Sequence, residues 1–124
     1  AELHLGEHSA ISKCHHIDCT NVVSVGSYST IAGYRTQILT HSIDIFSNRQ
    51  HSEPITIGDF SFVGTNCVLL GGSALPSFSI LGALSLLNKV HSDEYTLYAG
   101  QPARNIKSLD KNSGYFSRQV GFVY

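Results

Sequence analysis

The chain has 124 residues, 42% of them apolar, and a formal charge of −1 from eight Lys and Arg against nine Asp and Glu. That length supports one core, and the near-neutral balance provides no field to gather nucleic acid or an anionic membrane surface. No apolar run approaches the roughly 18 residues of a membrane span, no signal-peptide pattern opens the chain, and three cysteines are too few and too odd in number for a disulfide framework.

A cytoplasmic protein with reduced thiols is therefore expected. The absence of Met, an initiator included, is what a trimmed chain or a piece of a longer polypeptide shows. In chain order, aliphatic residues first recur every six positions at Leu5, Ile11 and Ile17, then after a two-residue slip at Val25 and Ile31, with Ser9 and Ser29 four residues behind Leu5 and Val25. The cluster Cys14, His15, His16, Cys19 has zinc-ligand chemistry, but a C-x4-C spacing with adjacent histidines is not a finger pattern, so no metal is expected. Between Ile31 and Ile57 the period breaks, and the polar segment His41 to Pro54 is predicted as a projecting loop.

From Ile57 the period returns without a slip at Val63, Leu69, Leu75, Leu81 and Leu87. With Ile, Leu and Val making up about a quarter of the chain, six hits at one phase arise by chance in roughly 2 of 10,000 trials, which decides for a real repeat. Ser61, Cys67, Ser73, Ser79 and Ser85 again follow at four residues, and Gly58, Gly64 and Gly82 follow directly, as tight corners require. A period of six fits neither the three-and-four spacing of a helix nor the alternation of an amphipathic sheet. It fits short strands forming the flat sides of a coil. Asn88 to Tyr98 reads as a second excursion. The fold expected is an all-β solenoid over residues 1–107, loop 41–54 included, with a polar tail over 108–124 that serves as a cap or an inter-subunit contact.

Three blocks give the chain a family resemblance. Thr40-His41-Ser42 is followed, thirteen residues after the histidine, by Pro54-Ile55-Thr56-Ile57-Gly58-Asp59; then come Phe62-Val63-Gly64-Thr65-Asn66 and Tyr98-Ala99-Gly100-Gln101-Pro102-Ala103-Arg104. In this order they resemble the hexapeptide-repeat acetyltransferases, particularly the galactoside, maltose and polysaccharide O-acetyltransferases, over about Val25 to Leu109. The resemblance implies a single-stranded left-handed parallel β-helix, a homotrimer with active sites between subunits, acetyl-CoA as co-substrate and a sugar or saccharide-like acceptor. Periodicity alone does not give the hand of the coil.

Moving an acetyl group from a thioester to an alcohol requires removal of the alcohol proton, and a neutral imidazole suits that near neutral pH. His41 matches the family's catalytic histidine, with direct attack and no acyl-enzyme implied; His51 is expected on the surface and is a weak second candidate for the acceptor site. Thr65 matches the family position whose N–H holds the oxyanion. Thr65 and Ala83 match the pantetheine groove, and Lys89, Arg104 and Lys107 match basic positions near the CoA phosphates. Leu84 replaces a small residue and is expected to narrow that channel; Pro76 and Phe62 replace a usual glycine and tryptophan. The Cys14 to Cys19 cluster is expected to be structural or to wall an acceptor pocket, and His4, His8 and His91 to lie on the surface. Two other readings stay open: a catalytically silent assembly module, and a γ-class carbonic anhydrase, whose third-position histidine is replaced by Asp59 after Ile57-Gly58 and by Thr65 after Val63-Gly64.

Overall fold

The computed structural model describes all residues, Ala1–Tyr124. The backbone winds in laps, each with three short sides. The first lap is β1 (Leu3–Leu5), β2 (Ala10–Ile11) and β3 (His16–Asp18), and the second is β4 (Val23–Val25), β5 (Thr30–Ile31) and β6 (Gln37–Leu39). An antiparallel hairpin, β7 (His41–Asp44) with β8 (Arg49–Ser52), leaves the coil here. The third lap is β9 (Ile55–Ile57), β10 (Phe62–Val63) and β11 (Val68–Leu70), and the fourth is β12 (Ala74–Leu75), β13 (Ser79–Leu81) and β14 (Leu86–Leu87). The chain finishes with β15 (Thr96–Gly100), the antiparallel β16 (Ala103–Ser108) and one helical turn, α1 (Gly114–Ser117).

Stacking the laps gives three parallel faces. Face A is β1-β4-β9-β12, face B is β2-β5-β10-β13-β15 closed by β16, and face C is β3-β6-β11-β14. The register brings the six-residue repeat into columns: Leu5, Val25, Ile57, Leu75 on face A; Ile11, Ile31, Val63, Leu81, Tyr98 on face B; Ile17, Ile38, Leu69, Leu87 on face C. The columns meet inside the prism as one core, and all but their first-lap members are buried. Leu5, with no lap beneath it, stays 53% exposed.

The corners explain the rest of the hexad. Three residues after most inward aliphatics the backbone turns through the left-handed region, at His8, Tyr28, Phe60 and Phe78 between faces A and B and at Cys14, Asn66 and Leu84 between B and C, with φ between 51° and 63°. The next residue points inward and is small, Ser or Cys, at every one of these corners except the first B–C corner, where it is His15. The serine hydroxyl supplies a partner to corner backbone that the strand ladders leave unpaired. Thus Ser29 Oγ accepts from Ser61 N–H (2.9 Å), and Ser61 Oγ donates to Pro76 O (2.8 Å).

Three segments differ from the sequence reading. The period does not lapse after Ile31: one extra residue at the Gly33-Tyr34-Arg35 corner shifts Ile38 out of phase, yet Ile38 is fully buried beneath Leu69. The segment from His41 to Pro54 is an ordered hairpin rather than an irregular loop, since its polar strands satisfy each other's backbone outside the prism. Asn88 to Tyr98 is a further lap, not an excursion: Val90 bridges to Ala74, and Tyr98 continues the face B column over Leu81.

The tail runs back along the A–B edge. There His8, Tyr28, Phe60, Phe78 and Tyr95 stack ring on ring, with centroids 4.6–5.2 Å apart. Phe116 packs edge-on against Phe78 and Tyr95, and the Arg118 guanidinium sits 4.0 Å from the Tyr115 ring and 5.7 Å from those of Tyr28 and Phe60. Tyr115 Oη lies 2.8 Å from Ser61 O and 2.9 Å from Thr30 Oγ1. No helix of the chain is long and apolar enough to cross a membrane.

Candidate active site

His41 begins β7, at the point where the chain leaves face C for the hairpin, and its side chain is exposed. Its base is tied to the first lap. Asp18, at the end of β3, accepts from the His41 N–H through Oδ2 (3.1 Å), while its backbone oxygen accepts from the buried Thr40 hydroxyl (2.9 Å). Thr40 Oγ1 in turn accepts from Asn21 N–H, and Asn21 Nδ2 donates to Ser52 Oγ on the returning strand (3.1 Å). The hydroxyl and N–H of Thr20, then the His41 N–H, hold the Asp18 carboxyl below its usual pKa range. The His41 Nε2 lies 2.7 Å from Gln50 Oε1 across the hairpin. A neutral imidazole donating from Nε2 to that carbonyl leaves Nδ1 as its free lone pair. His51 sits one register step along the hairpin, paired with Ser42, its Nε2 3.3 Å from Glu53 Oε1.

Thr65 and Ala83 come together on the other edge of face C. Successive B–C corners place Ala83 and Leu84 above Thr65 and Asn66, and these above Tyr34 and Arg35; together they line a groove of about 240 Å³. Its narrow floor depends on Gly64, where a Cβ would stand 2.8 Å from the Ala83 nitrogen. The Thr65 N–H makes no hydrogen bond within the chain, whereas its hydroxyl is paired with the backbone of Tyr34. Leu84 is 57% exposed on the groove wall.

The basic residues do not converge. Arg104 pairs with Ala99, whose methyl covers Gly82 next to Ala83, so Arg104 stands near the upper end of the groove. Lys107 lies further along β16 opposite Leu97 on the outer side of face B. Lys89 is exposed at the corner between faces C and A. Within one chain, His41 and the groove occupy opposite edges of face C, with β6 between them.

A wider depression of about 680 Å³ adjoins the groove on face C, lined by the Cys14, His15 and His16 cluster together with Arg35, Thr36, Gln37, Leu39 and Asn66. Sequence reasoning missed Asp18, Asn21, Tyr34 and Arg35, which carry no motif of their own. His91 is a correction: its ring packs on Tyr98 at 4.4 Å with Nε2 buried, and burial, then Lys89, lowers its pKa.

No protein-family model and no curated protein matches the sequence. Among solved structures, a hexapeptide-repeat acetyltransferase from Vibrio cholerae is 26% identical, superposes with a TM-score of 0.80, and is matched over 87% of this chain and 63% of its own. A maltose O-acetyltransferase from Clostridium difficile is 23% identical, with a TM-score of 0.80 and 87% and 59% covered. An N-acyltransferase variant from Bacillus cereus, in complex with dTDP and coenzyme A, is 18% identical, with a TM-score of 0.68 and 88% and 74% covered. The chain thus spans about three fifths of the first two.

Proposed function

We propose that this chain, which has the fold of the hexapeptide-repeat acetyltransferases, transfers an acetyl group from acetyl-CoA to a hydroxyl, less readily an amino group, of a saccharide. One observation carries the reading: His41 is anchored at one edge of face C, while the small-residue groove of Thr65 and Ala83 opens at the other. The pantetheine arm lies in that groove with its phosphates toward Arg104, and Lys89 and Lys107 of the assembled protein complete the basic end. The acceptor O–H gives its proton to His41 Nδ1 as the oxygen attacks the thioester carbon. The Thr65 N–H receives the developing oxyanion. Collapse of the tetrahedral adduct breaks the C–S bond, and the CoA thiolate takes the proton back from the imidazole, leaving the acetyl ester and free thiol.

Because one chain holds base and groove apart, the working unit is a homotrimer of left-handed prisms in which the hairpin of one subunit faces the groove of the next. The hairpin tip supports this, with Ile43, Ile45 and Phe46 exposed by 63%, 79% and 96%. The decisive experiment is His41→Ala, assayed by thiol release over a saccharide panel. The expected outcome is a kcat lower by about 10²–10⁴-fold, the contribution of a positioned base, with acetyl-CoA binding retained and His51→Ala near native. Native turnover in His41→Ala overturns the assignment.

A further inference from the structure

We propose that the acceptor is an acidic saccharide whose carboxylate is bound by Arg35 in the depression on face C. This rests on the acyltransferase reading above and names the substrate class for it. The first argument is placement. The B–C edge carries, lap by lap, Ala83, then Thr65, then Arg35, then Cys14, and the groove and the depression share Arg35 and Asn66 in their walls. A thioester lying along the groove with its carbonyl at Thr65 therefore ends against the depression, which is where an acceptor must sit to attack it.

The second argument is a local insertion. From inward aliphatic to inward small residue the B–C corner takes four steps in the third and fourth laps, Val63 to Cys67 and Leu81 to Ser85, but five in the second, Ile31 to Thr36. The extra residue is absorbed by Gly33 in the left-handed region at φ 65°, pressed so closely on Thr65 that a Cβ would stand 2.3 Å from that residue's own. The insertion projects Tyr34 beside Arg35, whose guanidinium lies 5.5 Å from the Tyr34 ring centroid. Arg35 itself holds, at φ 63°, the left-handed corner position that Cys14, Asn66 and Leu84 hold in the other laps, so it is the one charged side chain in that column.

The third argument is charge. No Asp or Glu lines the depression. Arg35 has no ion pair, and its side-chain N–H groups make no hydrogen bond in the chain. His15 is held in its neutral form: its Nδ1 accepts the Thr36 N–H (3.1 Å), and burial lowers its pKa. The permanent charge there is thus the single planar fork of Arg35, which matches a singly charged carboxylate in both charge and geometry. Gln37 and Asn66, uncharged and two-sided, suit sugar hydroxyls.

The test compares glucose, glucuronate and glucose 6-phosphate, with galactose and galacturonate as a second pair, in native protein and in Arg35→Gln and Arg35→Lys. Two readouts are taken: kcat/KM with acetyl-CoA, and binding of each sugar by ligand-observed NMR without acetyl-CoA. The expected result is preference for a uronate over its neutral partner and over the phosphate. In Arg35→Gln that acid-to-neutral ratio falls about 10- to 100-fold, and Lys, lacking the fork, recovers it only in part. A neutral sugar preferred, a phosphate preferred, or a ratio unchanged in Arg35→Gln overturns the proposal while leaving acetyl transfer standing. If instead acetyl-CoA neither binds nor reacts, the acyltransferase reading fails, and the NMR arm alone decides: uronate binding lost in Arg35→Gln supports the anion site, and binding absent or unaltered refutes it.

Discussion

Asp18 joins the first lap to the start of the hairpin through one carboxylate and one carbonyl. Nothing in the sequence marks it, because the residues it holds lie 22 and 23 positions away and meet it only when two laps stack. His41, in contrast, stands out in the sequence, since the base proposed for the reaction restricts residue type directly. On the proposed mechanism Asp18 acts through His41 as a positioning residue, so Asp18→Asn is expected to lower kcat by about tenfold with little change in the acetyl-CoA KM. The pH profile separates the two roles. A carboxylate whose pKa is depressed in the fold keeps its charge, and the contribution of that charge to stability, above the ordinary carboxylate range, and loses both only as pH falls through the depressed value. Activity between neutral and mildly acid pH therefore does not depend on titration of Asp18, and the profile of Asp18→Asn over that range should keep the native shape. A profile altered there contradicts the division.

Among elements, the tail holds more of the molecule together than its polar composition suggests. The sequence displays the aromatic residues but conceals their ladder, because the laps differ in length and the rings fall at no fixed spacing in the chain. What was legible was the hexad itself; what was not was its third step, the left-handed corner residue that places each ring over the next. Tyr115 is the clearest probe of the strap. Its hydroxyl lies among Ser61 O, Thr30 Oγ1 and Tyr28 O, in contact with the second and third laps at once. Tyr115→Phe keeps the ring against Phe62 and removes only that bonding, so chemical denaturation should show a loss of about 1 kcal/mol. A stability equal to native would mean the hydroxyl is served as well by water.

At the scale of the whole molecule, two expectations follow. Light scattering should find a trimer, and a strict monomer that transfers acetyl groups would sink the shared site. Stability should fall on mild acidification. His15 and His91 are both partly buried with lowered pKa values, so their neutral forms are the ones the fold favours. As pH drops below about 6.5, the unfolded chain takes up protons that the folded chain resists, and stability declines until the depressed folded values are passed. The melting temperature should be lower at pH 5.5 than at pH 7.5, and His15→Gln should narrow the gap. The prism was readable because one core runs its full length and forces the same residue type at the same step of every lap. The proposed pairing of His41 with a groove rests on likeness alone, since the two lie on opposite edges of a face.

The strap also orders events in time. Contacts between neighbouring laps join residues such as Leu3 and Val23, or Thr56 and Ala74, that are close in the chain, whereas Tyr115 reaches Tyr28 across 87 residues and Tyr28 Oη reaches Gln119 O across 91. Closing so long a loop is costly until its landing site exists. Winding must therefore come first and fastening last, and until residues 115–119 leave the ribosome the row of stacked rings stands bare to any passing chaperone.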